Sequence, residues 1–274
     1  MNKKLLALLC CFVLLVGIAA GCGNNNAAEE QSKGETTKLV VGATAKPHAE
    51  ILEIVKPILA KEGIELEIKE FTDYVLLNPA LVDGELDANF FQHIPYLEDF
   101  NKKNNTDLVW TVKVHNEPMG VYSNEYKKLE DLPEGATIGI PNDTTNGGRA
   151  LMVLASAGII KLREGADVTA TEKDIVENPK NLKFQMMDAA MLPRALEDLD
   201  ACVINSNYAI EANLNPVKDS IFMEPKDSPF ANVLAVRPED KDKEAIKKLG
   251  EALQSPEVKA FLEEKYAGSC VPAF

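Results

Sequence analysis

From Lys38 onward, blocks of continuous or alternating apolar residues take turns with blocks in which apolar residues recur every three to four positions. The run KLVVGAT (38–44) is compact and apolar, as a buried strand requires. Ile51, Val55, Ile58 and Leu59 then recur at helical spacing within 48–62, and Gly63 supplies the stop. Pro57 lies inside that pattern and is expected to kink or split the helix. Ile64, Leu66 and Ile68 alternate with Glu65, Glu67 and Lys69, which predicts a strand with one wet face. These blocks make a β-α-β unit, with a right-handed crossover if its two strands pair in parallel in one sheet.

The rhythm continues down the chain. LDANFFQ and DLVWTVKV read as strands around the helix-like IPYLEDFNKK, and MGVYS and ATIGIPN as further strands. GGRALMVLASA (147–157) reads as a helix, followed by the strand LKFQMMD, the helix LPRALEDL, the strand ACVIN and a last strand ANVLAV. Residues 241–266 form a charged helical region, broken at Ser255-Pro256. Such alternation implies an α/β fold with mainly parallel sheets. Two extended stretches poor in helix-forming pattern, 118–123 and 220–228, are the expected crossings between two lobes. They assign 38–117 with 229–274 to the first lobe and 124–219 to the second.

The N-terminus carries a different signal. Lys3 and Lys4 precede the apolar run 5–20, which leads into Gly21-Cys22. Charge, an apolar stretch and small residues before a cut make a secretory signal over 1–21. The run is shorter than the ~20 residues needed to span a bilayer. Ala19, Ala20 and Gly21 directly before Cys22 resemble the processing site of bacterial lipoproteins, although many carry leucine where Ala19 stands. Lipid on Cys22 would then hold the chain to a membrane, facing outward. Residues 23–37 contain no branched aliphatic and no aromatic residue, so 22–37 is expected to be a flexible tether.

Composition narrows the function. The chain's formal net charge is −14, and cleavage after Gly21 would remove two lysines. A basic surface for nucleic acid is therefore not expected. With Cys10 and Cys11 in the signal and Cys22 lipidated, only Cys202 and Cys270 remain of five cysteines, too few for a disulfide framework or a zinc site. Cys202, in the apolar run ACVIN, reads as core. His48, His93 and His115 lack metal-ligand spacing, no serine nucleophile elbow is present, and no catalytic acid/base pair stands out, so neither an enzyme nor a cofactor is indicated. The methionines of QMMDAAM read as core.

Three clusters suggest a binding site. In PNDTTNGGRAL (141–151) a strand end leads into a helix whose first turn is read as containing Gly147, Gly148 and Arg149. A cation at a helix N-terminus is unfavourable by a few tenths of a kcal/mol unless an anion sits there, so Arg149 is a candidate for gripping a carboxylate. FTDYV and NFFQHIPYL concentrate Phe71, Tyr74, Phe90, Phe91, His93 and Tyr96 in a chain only 6% aromatic. Such rings can wall a pocket for an apolar or thioether side chain. Phe90 is assigned to the core, because Phe91 must face the other way on a strand. Asn205, Asn207 and Asn232, at strand ends, offer both donors and acceptors.

Taken together, FTDYVLLNPAL, GELDANFFQHIPYL, KVHNEPMGVYS, IPNDTTNGGRALMVL, DIVENPKNLKF, LPRAL, CVINSNYA and DSPFANVL resemble the NlpA/MetQ-type methionine-binding lipoproteins, in order along nearly the whole mature chain. The resemblance implies a two-lobed, periplasmic-binding-protein-like (type II) α/β fold with a cleft that closes around L-methionine. It implies a monomer, and delivery of the solute to an ABC permease and its ATPase. By position it implies an aromatic wall of Tyr74, Phe91 and Tyr96, with His93 and His115 nearby. Arg149 would hold the ligand carboxylate, and Asn146, Asn207 and Asn232 would orient its amino and carboxylate groups. Thr144 and Gly147 depart from the family's common PNDPTNEGRAL, and Cys270 is an unusual choice. D-methionine, a methionine derivative or a short methionine peptide are the alternative ligands. From other classes, an enzyme on the same scaffold would need an acid and a base in the cleft, and a surface interaction protein would have no solute at all.

Overall fold

The computed structural model describes residues 36–225 and 228–274. The expected signal over 1–21, Cys22 and nearly all of the tether lie outside the described residues. The strands are β1 (Thr37–Thr44), β2 (Ile64–Phe71), β3 (Ala88–His93), β4 (Val109–Asn116), β5 (Gly120–Tyr122), β6 (Thr137–Pro141), β7 (Lys161–Leu162), β8 (Ile175–Glu177), β9 (Lys183–Met187), β10 (Ala201–Ile204), β11 (Phe222–Met223), β12 (Ala231–Val236) and β13 (Val271–Pro272). The α-helices are α1 (Glu50–Lys61), α2 (Leu77–Val82), α3 (Ile94–Asn104), α4 (Thr144–Ser156), α5 (Leu192–Ala195), α6 (Ser206–Glu211), α7 (Pro216–Asp219), α8 (Glu244–Leu253) and α9 (Pro256–Phe261).

Two larger sheets organise the fold. The first has the order β13-β4-β12-β3-β1-β2 and the second β11-β5-β10-β6-β9. In the first, β1 runs parallel to β2 and β3, whereas β12 runs antiparallel to β3 and β4. In the second, β6 is parallel to β9 and β10, whereas β5 is antiparallel to β10 and β11. The sheets are thus mixed rather than mainly parallel. Alternation of strand and helix patterns could not reveal this, because β12 enters the first sheet from the far end of the sequence. A thirteenth strand also follows ANVLAV, pairing β13 with β4. Both β5 and β11, which lie within the stretches expected as crossings, belong to the second sheet.

Each larger sheet is covered on both faces, which explains why several strands read as continuous apolar runs. On one side of the first sheet, Val41, Ile51, Leu52, Val55, Leu59, Leu249 and Val258 form a core between β1 and the helices α1, α8 and α9. On the other, Leu81, Leu86, Leu97 and Ala235 form a second. Around the second sheet, Ile138, Ile140, Leu151, Leu154 and Val203 form one cluster, and Tyr122, Leu192, Cys202, Ile204 and Tyr208 another. Each large side chain so buried is worth roughly 1.5–3 kcal/mol against exposure.

Local departures from the sequence pattern have physical causes. α1 runs unbroken through Pro57, which sits on its exposed side, where water can serve the carbonyl that lost its donor. At its end Gly63 takes φ +73°, the left-handed conformation glycine adopts without penalty. The helix expected over LPRALEDL is only Leu192–Ala195, because the chain turns back at Leu196 toward β10. Met186 and Met191 are exposed rather than core, and of these three methionines Met187 packs into the Tyr122–Tyr208 cluster. Cys202 and Cys270 are both buried free thiols. Among the described residues no helix is long and apolar enough to cross a membrane.

Candidate functional site

A narrow cavity lies where strand ends of the two sheets face each other, with room for little more than a water molecule, about 20 Å³, between its walls. Its wall is drawn from segments far apart in sequence. Tyr74 follows β2, Phe91, Gln92 and His93 end β3, and Tyr96 lies in the first turn of α3. Glu117 follows β4, Asn146 and Arg149 lie on α4, Asn205, Ser206 and Asn207 open α6, and Asn232 lies on β12. The carboxyl ends of parallel strands are where open α/β sheets form ligand crevices.

One end is aromatic. The ring centroids of Tyr74, Phe91 and Tyr96 form a triangle with sides of 5.7, 5.9 and 5.7 Å, at tilted to edge-on angles. Phe91 reaches the cavity while Phe90 points into the opposite core, against His48 and His115. β3 does not keep strict alternation beyond that point. Val233 pairs with Gln92 and Leu234 with Phe90, so Phe91 is skipped in the ladder. This bulge lets Phe91, Gln92 and His93 all contribute to one wall. Burial raises the phenol pKa of Tyr74 well above its ordinary range.

The other end is polar and tightly paired. α4 begins at Thr144, with Asp143 as its N-cap accepting from the backbone N–H of Asn146, 2.9 Å away. Arg149 is therefore the sixth helical residue, not a first-turn residue. The helix-terminus argument for a cation gripping an anion does not apply to it. Its charge is met instead by Glu224: Nε lies 3.1 and 3.2 Å from the two carboxylate oxygens, and Nη2 bonds both to Glu224 and to the carbonyl of Glu117. The Phe230 ring covers the guanidinium at 4.1 Å. Nη1 is left without a hydrogen bond among the described residues.

Asn146 is committed to the protein. Its Oδ1 accepts from His93 Nε2 at 3.1 Å and from Asn205 Nδ2 at 2.8 Å, and its Nδ2 donates to Asp143. His93 accepts the backbone N–H of Tyr96 at Nδ1, so its proton sits on Nε2. Burial, with Arg149 nearby, pushes the His93 pKa down to about 3 and keeps the ring neutral. Burial likewise raises the Asp143 carboxyl, partly offset by its bonds from Asn146 and Thr145.

Three further groups in the wall have unmet hydrogen-bonding capacity. Asn205 Oδ1 and Asn207 Nδ2 are buried without partners, while Asn207 Oδ1 accepts from the Tyr74 hydroxyl. Glu117 accepts from His115 Nε2 at 2.7 Å. Burial pushes its carboxyl up, but His48, His115 and Arg149 outweigh that and hold it below the ordinary carboxylate range. A carboxylate that is anionic, buried and on the cavity wall is suited to receive a cation.

Of the residues expected from sequence, Tyr74, Phe91, His93, Tyr96, Asn146, Arg149, Asn207 and Asn232 line this one cavity. His115 does not. It is fully buried behind Glu117, its ring 5.1 Å from that of His48. The three histidines have no metal spacing in sequence, yet His48 and His115 meet Glu117 with donor atoms within 4.8 Å of one another. The 2.7 Å between His115 Nε2 and Glu117 Oε1 is hydrogen-bond spacing, tighter than two ligands sharing an ion at ~2.0–2.2 Å each in tetrahedral geometry. Gln92, Glu117 and Ser206 were not anticipated. Gln92 was hidden by the bulge, and Glu117 lies in sequence at the border of an extended crossing, where nothing marks it as a ligand group.

A cavity of mixed aromatic and polar character, walled by the strand ends of two sheets, defines a two-lobed solute-binding protein of the periplasmic-binding type. The chain belongs to the NlpA lipoprotein family, whose sequence profile matches residues 39–274. It is 46% identical to the methionine-binding lipoprotein MetQ of Bacillus subtilis, over 99% of both chains. It is 40% identical to the D-methionine-binding lipoprotein MetQ of Salmonella typhi, over 92% of each. Among solved structures, a nutrient-binding protein from Burkholderia cenocepacia bound to methionine shares 47% identity at a TM-score of 0.83, covering 86% of this chain and all of its own. These relatives are binding proteins, and the family is not one of enzymes.

Proposed function

We propose that this chain is the substrate-binding lipoprotein of an ABC importer and captures L-methionine in the cavity. The observation that carries the reading is the division of the cavity wall. The triangle of Tyr74, Phe91 and Tyr96 suits a thioether, with sulfur–aromatic contacts worth ~0.3–1.5 kcal/mol each. The free hydrogen-bonding atoms at the other end match the head of an amino acid. Arg149 Nη1, Asn207 Nδ2 and Asn232 Nδ2 are donors for a carboxylate, and Glu117 with Asn205 Oδ1 are acceptors for an ammonium. Asn146 and His93 act by fixing their neighbours. His115 acts only through Glu117. The methionine-bound relative supports the same ligand.

The lobes proposed are 38–117 with 229–274, and 124–219 together with β5 and β11, so that the chain crosses at the outer ends of 118–123 and 220–228. Closure of one onto the other would bring Tyr74 to Asn207 and His93 to Asn146, contacts between segments 133 and 53 residues apart. Lipid on Cys22, with the tether of 22–37, would hold this monomer at the outer side of the cell membrane, within reach of a permease driven by an ATPase.

D-methionine is the second reading, favoured by the name of the Salmonella typhi relative. Calorimetric titration of the chain, unfolded and refolded to remove carried-over ligand, separates these. The reading expects one-to-one binding of L-methionine, weaker binding of D-methionine, and much weaker binding of leucine and alanine. Absence of heat with both methionine enantiomers would reject it.

A further inference from the structure

Two residues outside the cavity wall hold one of its amides in place. His48 is 1% exposed, and its two ring nitrogens face different partners. Nε2 lies 3.1 Å from Asn232 Oδ1 and 3.3 Å from Glu117 Oε1. A carboxylate oxygen and an amide oxygen only accept, so Nε2 carries the proton. Nδ1 lies 2.8 Å from Thr44 Oγ1. Burial keeps the ring neutral against the pull of Glu117, pushing its pKa down to about 4. In the neutral ring with Nε2–H, Nδ1 is an acceptor, and the Thr44 hydroxyl donates to it. The acceptor-only Glu117 carboxylate thus fixes the tautomer, Thr44 holds the ring in place through Nδ1, and the tautomer fixes the next contact outward.

That contact is the Asn232 amide. An amide's two ends differ only in which is donor and which acceptor, and the network selects between them. With His48 donating, Oδ1 must face His48 and Nδ2 must face away. Nδ2 makes no hydrogen bond among the described residues, and Asn232 lines the cavity. The backbone of Asn232 is already clamped, since β12 pairs it with His93 on one side and His115 on the other. Rotation of the amide is the freedom that remains, and a flipped amide would present an oxygen lone pair to a ligand carboxylate.

We propose that His48, oriented by Thr44, is a positioning residue for ligand capture that locks the Asn232 amide with Nδ2 toward the cavity as a carboxylate donor. The proposal rests on the reading that the cavity takes an α-amino acid. It assigns a function to the buried His48–Thr44 pair, which touches no cavity surface itself.

The test is calorimetric titration of the full chain in detergent with L-methionine, for the wild type and for variants at positions 44, 48 and 232. His48→Leu, which removes the donor, is expected to weaken binding tenfold or more. His48→Gln, whose amide nitrogen can reach toward the place of Nε2, is expected to recover affinity to within threefold of the wild type. In an Asn232→Ala background, His48→Leu is expected to cost less than threefold further, because the group it positions is gone. An equal loss in both backgrounds overturns the proposal, as does a His48→Leu chain that unfolds cooperatively yet binds within threefold of the wild type. Should His48→Leu fail to fold, Thr44→Val carries the test: weakened binding supports the proposal and unchanged affinity overturns it. A wild type that binds no methionine is a separate outcome, which sinks the ligand reading and this proposal with it.

Discussion

Arg149 and Glu224 form a buried ion pair in the cavity region, with Arg149 Nε 3.1 Å from one carboxylate oxygen and 3.2 Å from the other. Removing one partner of such a pair leaves an uncompensated buried charge and typically costs ~3–5 kcal/mol. Glu224→Ala is therefore expected to destabilise the ligand-free protein by about that amount in urea unfolding. Arg149→Ala is expected to do the same and also to weaken methionine binding by roughly 30-fold or more, as loss of a buried charge partner does. An Arg149→Ala protein with unchanged affinity would end the carboxylate role given to it.

Glu117 is the proposed acceptor for the ligand's ammonium. Glu117→Gln keeps the shape and removes the charge, and is expected to weaken methionine binding by tenfold or more. Its loss should be much smaller for N-acetyl-L-methionine, which has no ammonium to pair. Equal losses for the two ligands in parallel titrations would show that Glu117 acts on the fold rather than on the amino group.

The stability of the ligand-free protein should fall as the pH drops from 7 to 5. His48 and His93 titrate in the folded protein at about 4 and about 3, against an ordinary value near 6.5. Between those values the unfolded chain binds protons that the folded chain does not, so stability rises with pH across the window. Each histidine contributes about 1.4 kcal/mol per pH unit where the difference is complete. Glu117, held low, adds loss in the same direction as pH falls through its folded value. Asp143, raised by burial, works in the opposite sense near the carboxylate range. Urea midpoints at pH 7, 6 and 5 check this, and a flat profile would contradict it.

Gly148 is set by packing rather than by backbone conformation. A Cβ there would stand 2.1 Å from the carbonyl oxygen of Val168 and 2.5 Å from its carbon, both backbone atoms that cannot swing aside. Gly148→Ala must push the 168–170 segment away from α4, and is expected to cost on the order of 1–3 kcal/mol, as overpacking does. A variant with wild-type stability by chemical denaturation would show that this segment yields freely.

Much of this was legible in the sequence where one physical rule dominated. The apolar runs gave β1, β10 and β12, and strict alternation gave β2 and put Phe90 and Phe91 on opposite sides. Alternation then misled at Gln92, because the bulge at Phe91 lies in pairing to β12, some 140 residues away in sequence, and no local pattern encodes it. The start of α4 was legible but misread. Asp143 is a good N-cap residue, whereas the helix was expected to begin only at Gly147, three residues after its actual start at Thr144. Glu224 and Glu117 carry no periodic signal. Their importance arises only when the fold brings segments 75 and 32 residues from Arg149 to its guanidinium. Exposure of Met186 and Met191 likewise depends on what covers β9, which composition does not specify.

The most direct test of the central claim is a crystal structure of the refolded protein grown with L-methionine. The account predicts density for one amino acid with its side chain against the rings of Tyr74, Phe91 and Tyr96, its ammonium on Glu117 and its carboxylate on Arg149 Nη1, Asn207 Nδ2 and Asn232 Nδ2. A methionine bound elsewhere, or one whose carboxylate faces away from Arg149, would contradict it.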